Sequence, residues 1–391
     1  MSIHFDEQSR IFWLNMPRSS YAIGILEQEN LLAHLYYGAG IAPDDVQFLS
    51  RVGDSLLSPA RRAEQKLDRC FEEYYGLHHD VGFMWLPSAV ADYRLTRDRD
   101  ARRRGLHAAN LLAGRFNPAG SYLRAWNDAE TPADTAGWVI IDSMLNIPLL
   151  YWAWEETRDP RFRHMAIAHA NTVMANFVRP DGSVRHVVEF DPETGRYRTD
   201  RGGQGCGQGS SWSRGQAWGM YGFAISYRHT GDTAYLDTAK RIAHYFIANI
   251  PEDGILPVDF RQPETPFWCD DTAAAIAACA LIEISRAVGP QEQQMYLSPA
   301  LRLLRVLVEQ HCDFTHQSDC ILEKGTGAYH DANHEFPIIY GDYYLCEALF
   351  KLKGKDTLQP ALAYVSLHYT EQIRIAELAN AQATVEFAQQ S

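Results

Sequence analysis

The feature that most limits what this chain can fold into is a local device used three times. Thr96-Arg-Asp98, Thr157-Arg-Asp159 and Thr230-Gly-Asp232 each precede an amphipathic segment with small residues at helical spacing. Each segment then stops at a Pro/Gly turn, at Phe116-Asn-Pro-Ala-Gly120, Arg179-Pro-Asp-Gly182 and Pro251-Glu-Asp-Gly254. Between these units lie second helical patterns, Trp138–Glu155, Gly215–Arg228 and Thr272–Arg286, which are apolar nearly all round. A helix apolar on every side has to be enclosed by others. A unit recurring every roughly 60–70 residues, pairing a half-exposed helix with a buried one, therefore reads as stacked helical hairpins. Closed on itself, such a stack is an all-α toroid whose loops form a funnel at one end. Periodicity alone leaves an open solenoid equally admissible.

The pattern changes near residue 50. Before it, Arg10–Leu14 and Tyr21–Gly38 are rich in aromatic and branched residues and broken by turn sequences, so short strands are expected. The division expected is a β-rich segment at 1–50 and a helical domain at 51–391, ending in an amphipathic stretch at Ala361–Phe387. With 391 residues the chain is long enough to bury a large core. A net charge of −13 without a basic stripe disfavours nucleic acid, whose phosphates need local neutralisation. The most apolar run, Ala273–Ile284, is too short for a bilayer, and the first residues lack a signal-peptide pattern. Seven scattered cysteines without a CxxC pair suit free thiols in a reducing, cytoplasmic setting.

Four stretches are too polar for their surroundings. Leu77-His-His-Asp-Val-Gly-Phe83 places Asp80 after two histidines, and Trp138–Leu150 places Asp142 inside an apolar run. An ionised carboxylate there is costly unless partnered. It is either a packing Asp with a hydrogen-bond partner or a carboxyl with raised pKa suited to general acid work. The Gly-rich run Gly202–Gly209 lacks the Lys-Ser/Thr ending of a phosphate loop and reads as a close approach to a sugar. Trp212 or Trp218 would then be a platform, and Arg214 either an anion clamp or a structural ion pair. In Tyr340-Gly-Asp-Tyr-Tyr344, Asp342 has the position of a helix cap. Histidines 78, 79, 186 and 330 show no i,i+4 pairing among themselves, so no metal site and no cofactor is expected.

Five of these motifs, taken in order, resemble the unsaturated glucuronyl hydrolases, glycoside hydrolase family 88. They are His78-His-Asp-Val-Gly-Phe83, Ile140-Ile-Asp-Ser-Met-Leu-Asn-Ile-Pro-Leu-Leu150, Ser213-Arg-Gly-Gln-Ala-Trp-Gly219, Asp270-Asp-Thr-Ala-Ala-Ala-Ile276 and Tyr340-Gly-Asp-Tyr-Tyr344, spanning about residues 55–354. The resemblance implies an (α/α)6 barrel that hydrates the C4=C5 double bond of a terminal unsaturated uronic acid and so releases the partner sugar. It implies Asp142 as general acid/base and Asp80 as the second essential carboxylate. It places His79, Trp126, His186, Gln204, Arg214 and Trp218 against the substrate. Lys324 and His330, in and beside the Lys324-Gly-Thr-Gly loop, are candidates for reading the second sugar. The partner implied is an unsaturated uronyl di- or oligosaccharide, with neither nucleic acid nor membrane.

One segment departs from the pattern. Family members begin with a helical hairpin before the first catalytic Asp, and residues 1–50 instead resemble the opening strands of family 36 α-galactosidases at Ile3-His-Phe-Asp6, Pro17-Arg-Ser-Ser-Tyr21 and Leu31–Gly38. Loss of one hairpin from a ring would expose its neighbours' apolar flanks, lowering stability and activity. Two alternatives stand beside the leading reading: an unsaturated rhamnogalacturonyl hydrolase on the same toroid, and an inactive sugar-binding toroid.

Overall fold

The computed structural model describes residues 2–6, 11–15, 20–26, 31–38, 61, 63–127, 135–314 and 320–353. The amphipathic stretch expected at 361–387 and the turns between the first strands lie outside them. The described residues fall into two compact units, divided between residues 66 and 67.

In the first unit, β1 (Ser2–Asp6), β2 (Ile11–Asn15), β3 (Ser20–Leu26) and β4 (Leu31–Gly38) form an antiparallel sheet in chain order, with one register shift at Ala22/Ile23.

The second unit is mainly helical. After the short helices α1 (Val81–Trp85) and α2 (Ala91–Thr96) come α3 (Arg99–Ala113), α4 (Pro148–Thr157), α5 (Pro160–Phe177), α6 (Ser213–Thr230), α7 (Thr233–Ala248), α8 (Asp271–Ala287), α9 (Gln293–Val306) and α10 (Ile339–Leu352). They alternate in burial. Ser213–Ser226 of α6 and Asp271–Ile282 of α8 are buried without a break. By contrast, α7 buries a stripe of Tyr235, Ala239, Ile242, Ala243 and Phe246, and α3 a stripe of Ala101, Gly105, Ala108 and Leu112. The enclosed helix α8 packs against α6, α9 and α10. Its alanines let these backbones approach closely, while each large apolar side chain buried on the outer helices contributes about 1.5–3 kcal/mol.

The Thr-x-Asp triplets are the joints. In each, the Thr hydroxyl donates to the carbonyl four residues earlier and accepts the Asp N–H, at 3.1 Å for Asp98 and 3.2 Å for Asp159 and Asp232. The Asp carboxylate then caps the next helix by accepting from Ala101, Arg161 or Ala234. The middle residue is left-handed in all three, with φ of 59° at Arg97, 60° at Arg158 and 73° at Gly231.

The single helix expected over Trp138–Glu155 is replaced by three elements. A strand at Trp138–Ile140 pairs with a second at Val187–Phe190, which pairs with a third at Tyr197–Arg201. A 3-10 turn at Ile141–Leu145 follows the first of these, and α4 starts at Pro148. The β-branched run Val139-Ile-Ile141 favours extended backbone, and Pro148 suits the first turn of a helix, where no N–H is needed. Asp142 thus sits on a short turn. Among the described residues no helix is long and apolar enough to cross a membrane.

Candidate active site

Asp142 and Asp80 come from different elements and are tied by one buried side chain. Asn146 Nδ2 donates to the Asp142 carbonyl at 3.0 Å, and its Oδ1 accepts from Phe83 N at 2.7 Å, in the helix that begins just after Asp80. Gly82 makes this contact feasible, since a Cβ there would stand 2.4 Å from Asn146 Cα.

The Asp142 turn is also held from beneath. The neighbouring Ser143 hydroxyl donates to Ile140 O and lies 2.6 Å from His169 Nε2. His169 Nδ1 accepts from Leu123 N at 3.0 Å, so its proton is on Nε2. Burial lowers the pKa of this ring to about 3, and it stays neutral. Ala125, Ile140 and Val187 form an apolar floor, with Trp126 and Trp138 packed on it.

His186 is oriented by the same logic. Its Nδ1 accepts from Gln204 N at 2.9 Å, which leaves the neutral ring's proton on Nε2, 3.5 Å from Asp142 Oδ2. Neither of those two buried atoms has a closer partner. The Gly-rich run is what permits it: Gly203 has φ +58°, and a Cβ there would be 2.0 Å from His186 Nδ1. The run therefore cradles a histidine, not a phosphate. Burial pushes the Asp142 carboxyl up, but the facing His186, with His79 and Arg214 behind it, outweighs burial and holds it below its ordinary value. This differs from the raised pKa expected of an Asp in an apolar run, because the decisive partner lies 44 positions away in the chain.

His79 carries the opposite tautomer. Its Nδ1 donates to Ala125 O at 3.0 Å, and its Nε2 lies 3.1 Å from Asp80 Oδ1. Trp126 stands edge-on to His79 with centroids 5.3 Å apart.

Arg214 is a structural ion pair. Nη1 meets Asp270 Oδ2 at 2.7 Å, Thr272 Oγ1 and Thr326 O, and Nη2 meets Gly327 O at 2.6 Å. Only 1% exposed, it lies over the rings of Trp212 and Tyr340. Its positive charge still reaches Asp142. Gln204 binds the same loop, donating to Gly327 O at 2.8 Å and accepting from Tyr329 N. His330 Nε2 is 3.2 Å from Cys206 O; the Lys324 carbonyl accepts from Asp271 N, and the Lys324 N–H donates to the Asp271 carboxylate at 3.2 Å. Trp218 is buried among Phe83, Tyr340 and Tyr344. Asp342 does not cap its helix; it accepts from Ile321 N and Leu322 N. Sequence reasoning missed Asn146, Ser143 and His169. The first two sit inside the Ile140–Leu150 motif, whereas His169 carries no local signal in an ordinary helical stripe.

No family model matches the chain. A protein of Bacillus sp. (strain GL1) named unsaturated glucuronyl hydrolase is 39% identical over 298 residues, covering 74% of this chain and 77% of its own. An unsaturated chondroitin disaccharide hydrolase of Streptococcus pneumoniae (strain ATCC BAA-255 / R6) is 33% identical over 291 residues, 73% of each chain. The crystal structure of unsaturated glucuronyl hydrolase from Bacillus sp. GL1 superposes with a TM-score of 0.71 and 35% identity, over 80% of this chain and 83% of that one.

Proposed function

Since the chain belongs to the unsaturated glucuronyl hydrolase family, we propose that it hydrates the C4=C5 double bond of a terminal unsaturated uronic acid, with Asp142 as general acid/base and Asp80 as its partner carboxylate. Relatives named for glucuronyl and chondroitin disaccharide substrates support a glycosaminoglycan-type oligosaccharide over a rhamnogalacturonyl one.

The observation that carries the reading is the Asp142–His186 pair, whose facing buried atoms have no closer hydrogen-bond partner, tied through Asn146 to the His79–Asp80 pair. Asp142 gives its proton to C4, and the positive charge that develops is shared by C5 and the ring oxygen. Water adds at C5 and returns a proton to Asp142. The hemiketal opens as the bond from C5 to the ring oxygen breaks, leaving a ketone at C5 and a hydroxyl on C1. That C1 hemiacetal then collapses to an aldehyde, and the partner sugar leaves as an alcohol with its own oxygen and a proton. Direct displacement at C1 is not involved, so carboxylate-spacing rules for retention and inversion do not apply.

The acid has to be protonated when it acts. In the free protein the facing histidines and Arg214 favour ionised Asp142. A bound uronate brings a second negative charge and displaces water, and both raise the carboxyl's affinity for a proton. His186 and Gln204 hold the acid side, Trp126 and His79 the Asp80 side, and Trp218 with Arg214 shapes the wall. Lys324 and His330 are assigned to the second sugar, because their loop is laced to Gln204.

The fold proposed is an (α/α)6 toroid lacking its first helical hairpin, at residues 51–391, preceded by the β-rich segment at 1–50. Seven cysteines present as thiols support a reducing, cytoplasmic setting. The test is loss of the double bond's ultraviolet absorbance with an unsaturated chondroitin disaccharide. Asp142→Asn is expected to cut the rate by about 10²–10⁴-fold while remaining folded. A folded native chain that consumes no such disaccharide, or an active Asp142→Asn, overturns the assignment.

A further inference from the structure

His79 and Asp80, already placed in the proposed chemistry, also belong with His78 to a donor set that the chemistry does not account for. His78, His79 and Asp80 each offer one ligating atom, and these atoms lie within 4.8 Å of one another. We propose that they bind a divalent transition metal of the zinc class, and that this metal blocks Asp80. The blockade rests on the role given to Asp80 above, whereas the binding does not.

Two imidazole nitrogens and one carboxylate oxygen suit zinc or copper and are poor for calcium or magnesium. In a tetrahedral zinc site, ligand atoms stand about 3.3 Å apart, as bond lengths of ~2.0–2.1 Å require. Here His79 Nε2 is 3.1 Å from Asp80 Oδ1, and His78 Nδ1 is 3.6 Å from Asp80 Oδ2. These two distances end on different carboxylate oxygens, so one ion requires the side chains to rotate together and His78 Nδ1 to give up the Asp80 N–H that it accepts at 3.4 Å. The ring of His79 is already oriented, since its other nitrogen donates to Ala125 O at 3.0 Å. Such an outer hydrogen bond from a ligating histidine fixes its tautomer and sharpens affinity. Entry is open, because the side chains of His78 and Asp80 are 39% and 37% exposed. A fourth position is left for water. The i,i+4 spacing of a helical metal motif is not needed, for these residues lie where the chain turns into α1.

Arg115 counts against the site. Its guanidinium donates to Leu77 O at 2.7 Å and to Ala125 O at 3.1 Å, directly behind the donor set. With that charge nearby and only three protein ligands, affinity falls short of a closed four-ligand structural site.

The experiment is zinc titration by calorimetry on chelator-treated full-length protein, with the visible spectrum of added cobalt(II) as a second readout. One zinc per chain is expected, with d–d bands from cobalt and no thiolate charge-transfer band. His78→Asn should weaken zinc binding at least about tenfold while leaving metal-free turnover unchanged. His164→Asn, on an exposed helix face, should alter neither. Zinc should inhibit the native enzyme over its binding range and spare His78→Asn. Unaltered zinc affinity in His78→Asn, or cobalt spectra that place the ion on cysteine, overturns the site. Binding that depends on His78 without any effect on turnover overturns the blockade alone. A chain inert towards every disaccharide would count against the proposed activity, while the calorimetry and the cobalt spectrum would still decide the metal site.

Discussion

The enclosed helices carry buried charge at both ends, and the two ends treat it differently. At the N-terminal ends, Arg214, Asp270 and Tyr340 meet beside the Asp142 turn. About 20 Å of helix further on, Arg228 pairs with Glu283 at 2.9 Å, and Lys351 with Glu283 at 2.6 Å and Glu347 at 3.8 Å. Tyr221 donates its hydroxyl to Glu347 as well. In that second network every carboxylate has a cation or a hydroxyl, and the cations sit where helix dipoles favour them. At the first end, Asp142 Oδ2 and His186 Nε2 face each other without closing to a normal hydrogen bond. Fully partnered buried charge holds structure, while incompletely partnered buried charge is where reactivity gathers.

The strongest way to break this contrast is Lys351→Met. Lys351 is fully buried, and its removal takes one of two close cations from Glu283, leaving Arg228, and leaves Glu347 the Tyr221 hydroxyl. Breaking such a pair from one side costs about 3–5 kcal/mol, to be read from denaturant unfolding. Turnover per folded molecule should not change. Burial raises the Glu283 carboxyl, but Lys351 and Arg228 outweigh it and hold the group below its ordinary 4.5. The stability from this pairing is therefore present above the unfolded-state pKa and is lost as pH falls through the folded one. The gap between native and variant should be widest near neutrality and close in acid. A gap that persists in acid would show that packing, not charge, was lost.

At the other end the sharpest probe is Gly203→Ala. A methyl group there meets His186 Nδ1 at 2.0 Å on a backbone already at φ +58°. The strain costs about 1–3 kcal/mol, and kcat should fall at least about tenfold as His186 swings from Asp142. Gly209→Ala shares the positive φ, at +76°, but meets nothing within 4 Å. It should show the strain without the loss of kcat. Equal losses of activity in both would mean that the loop, and not His186, is what matters.

A smaller effect concerns Asp142 itself. Its carboxyl is held low in the free protein, and the proposed mechanism requires a bound uronate to raise it. The alkaline limb of the kcat profile, which reports the complex, should lie at higher pH than that of kcat/KM, which reports the free enzyme. Coincident limbs would remove the substrate's part in preparing the acid.

What is legible in the sequence depends on how far apart the interacting residues lie. The Thr-x-Asp joints and the alternation of enclosed and striped helices are local, so Thr157, Asp159 and the Ala-rich run of α8 announce them. The turn under Asp142 passes for helix, because an apolar run of strand, turn and helix looks continuous until Pro148 is weighed as a start signal. Arg214 is ambiguous for a physical reason: its partners Asp270 and Gly327 lie 56 and 113 residues away. The acidity of Asp142 is not readable at all, since it is set by His186 and His79, which only the fold brings near.

The mildest test lies at the joints of the C-terminal ends. Arg158 occupies the left-handed position between Thr157 and Asp159 at φ 60°, where its counterpart in the third joint is Gly231 at φ 73°. A side chain at positive φ is strained, whereas glycine is at ease there. Its greater freedom in the unfolded chain cancels part of the gain. Arg158 also lies over the Trp154 ring, with its guanidinium 5.6 Å from the centroid, an exposed contact worth about 0.5–1 kcal/mol. Arg158→Gly is therefore expected to leave stability within about 0.5 kcal/mol of the native value and turnover unchanged. A loss near ~2 kcal/mol would mean that Arg158 holds α4 and α5 together through its side chain, and the three joints could no longer be treated as one backbone device.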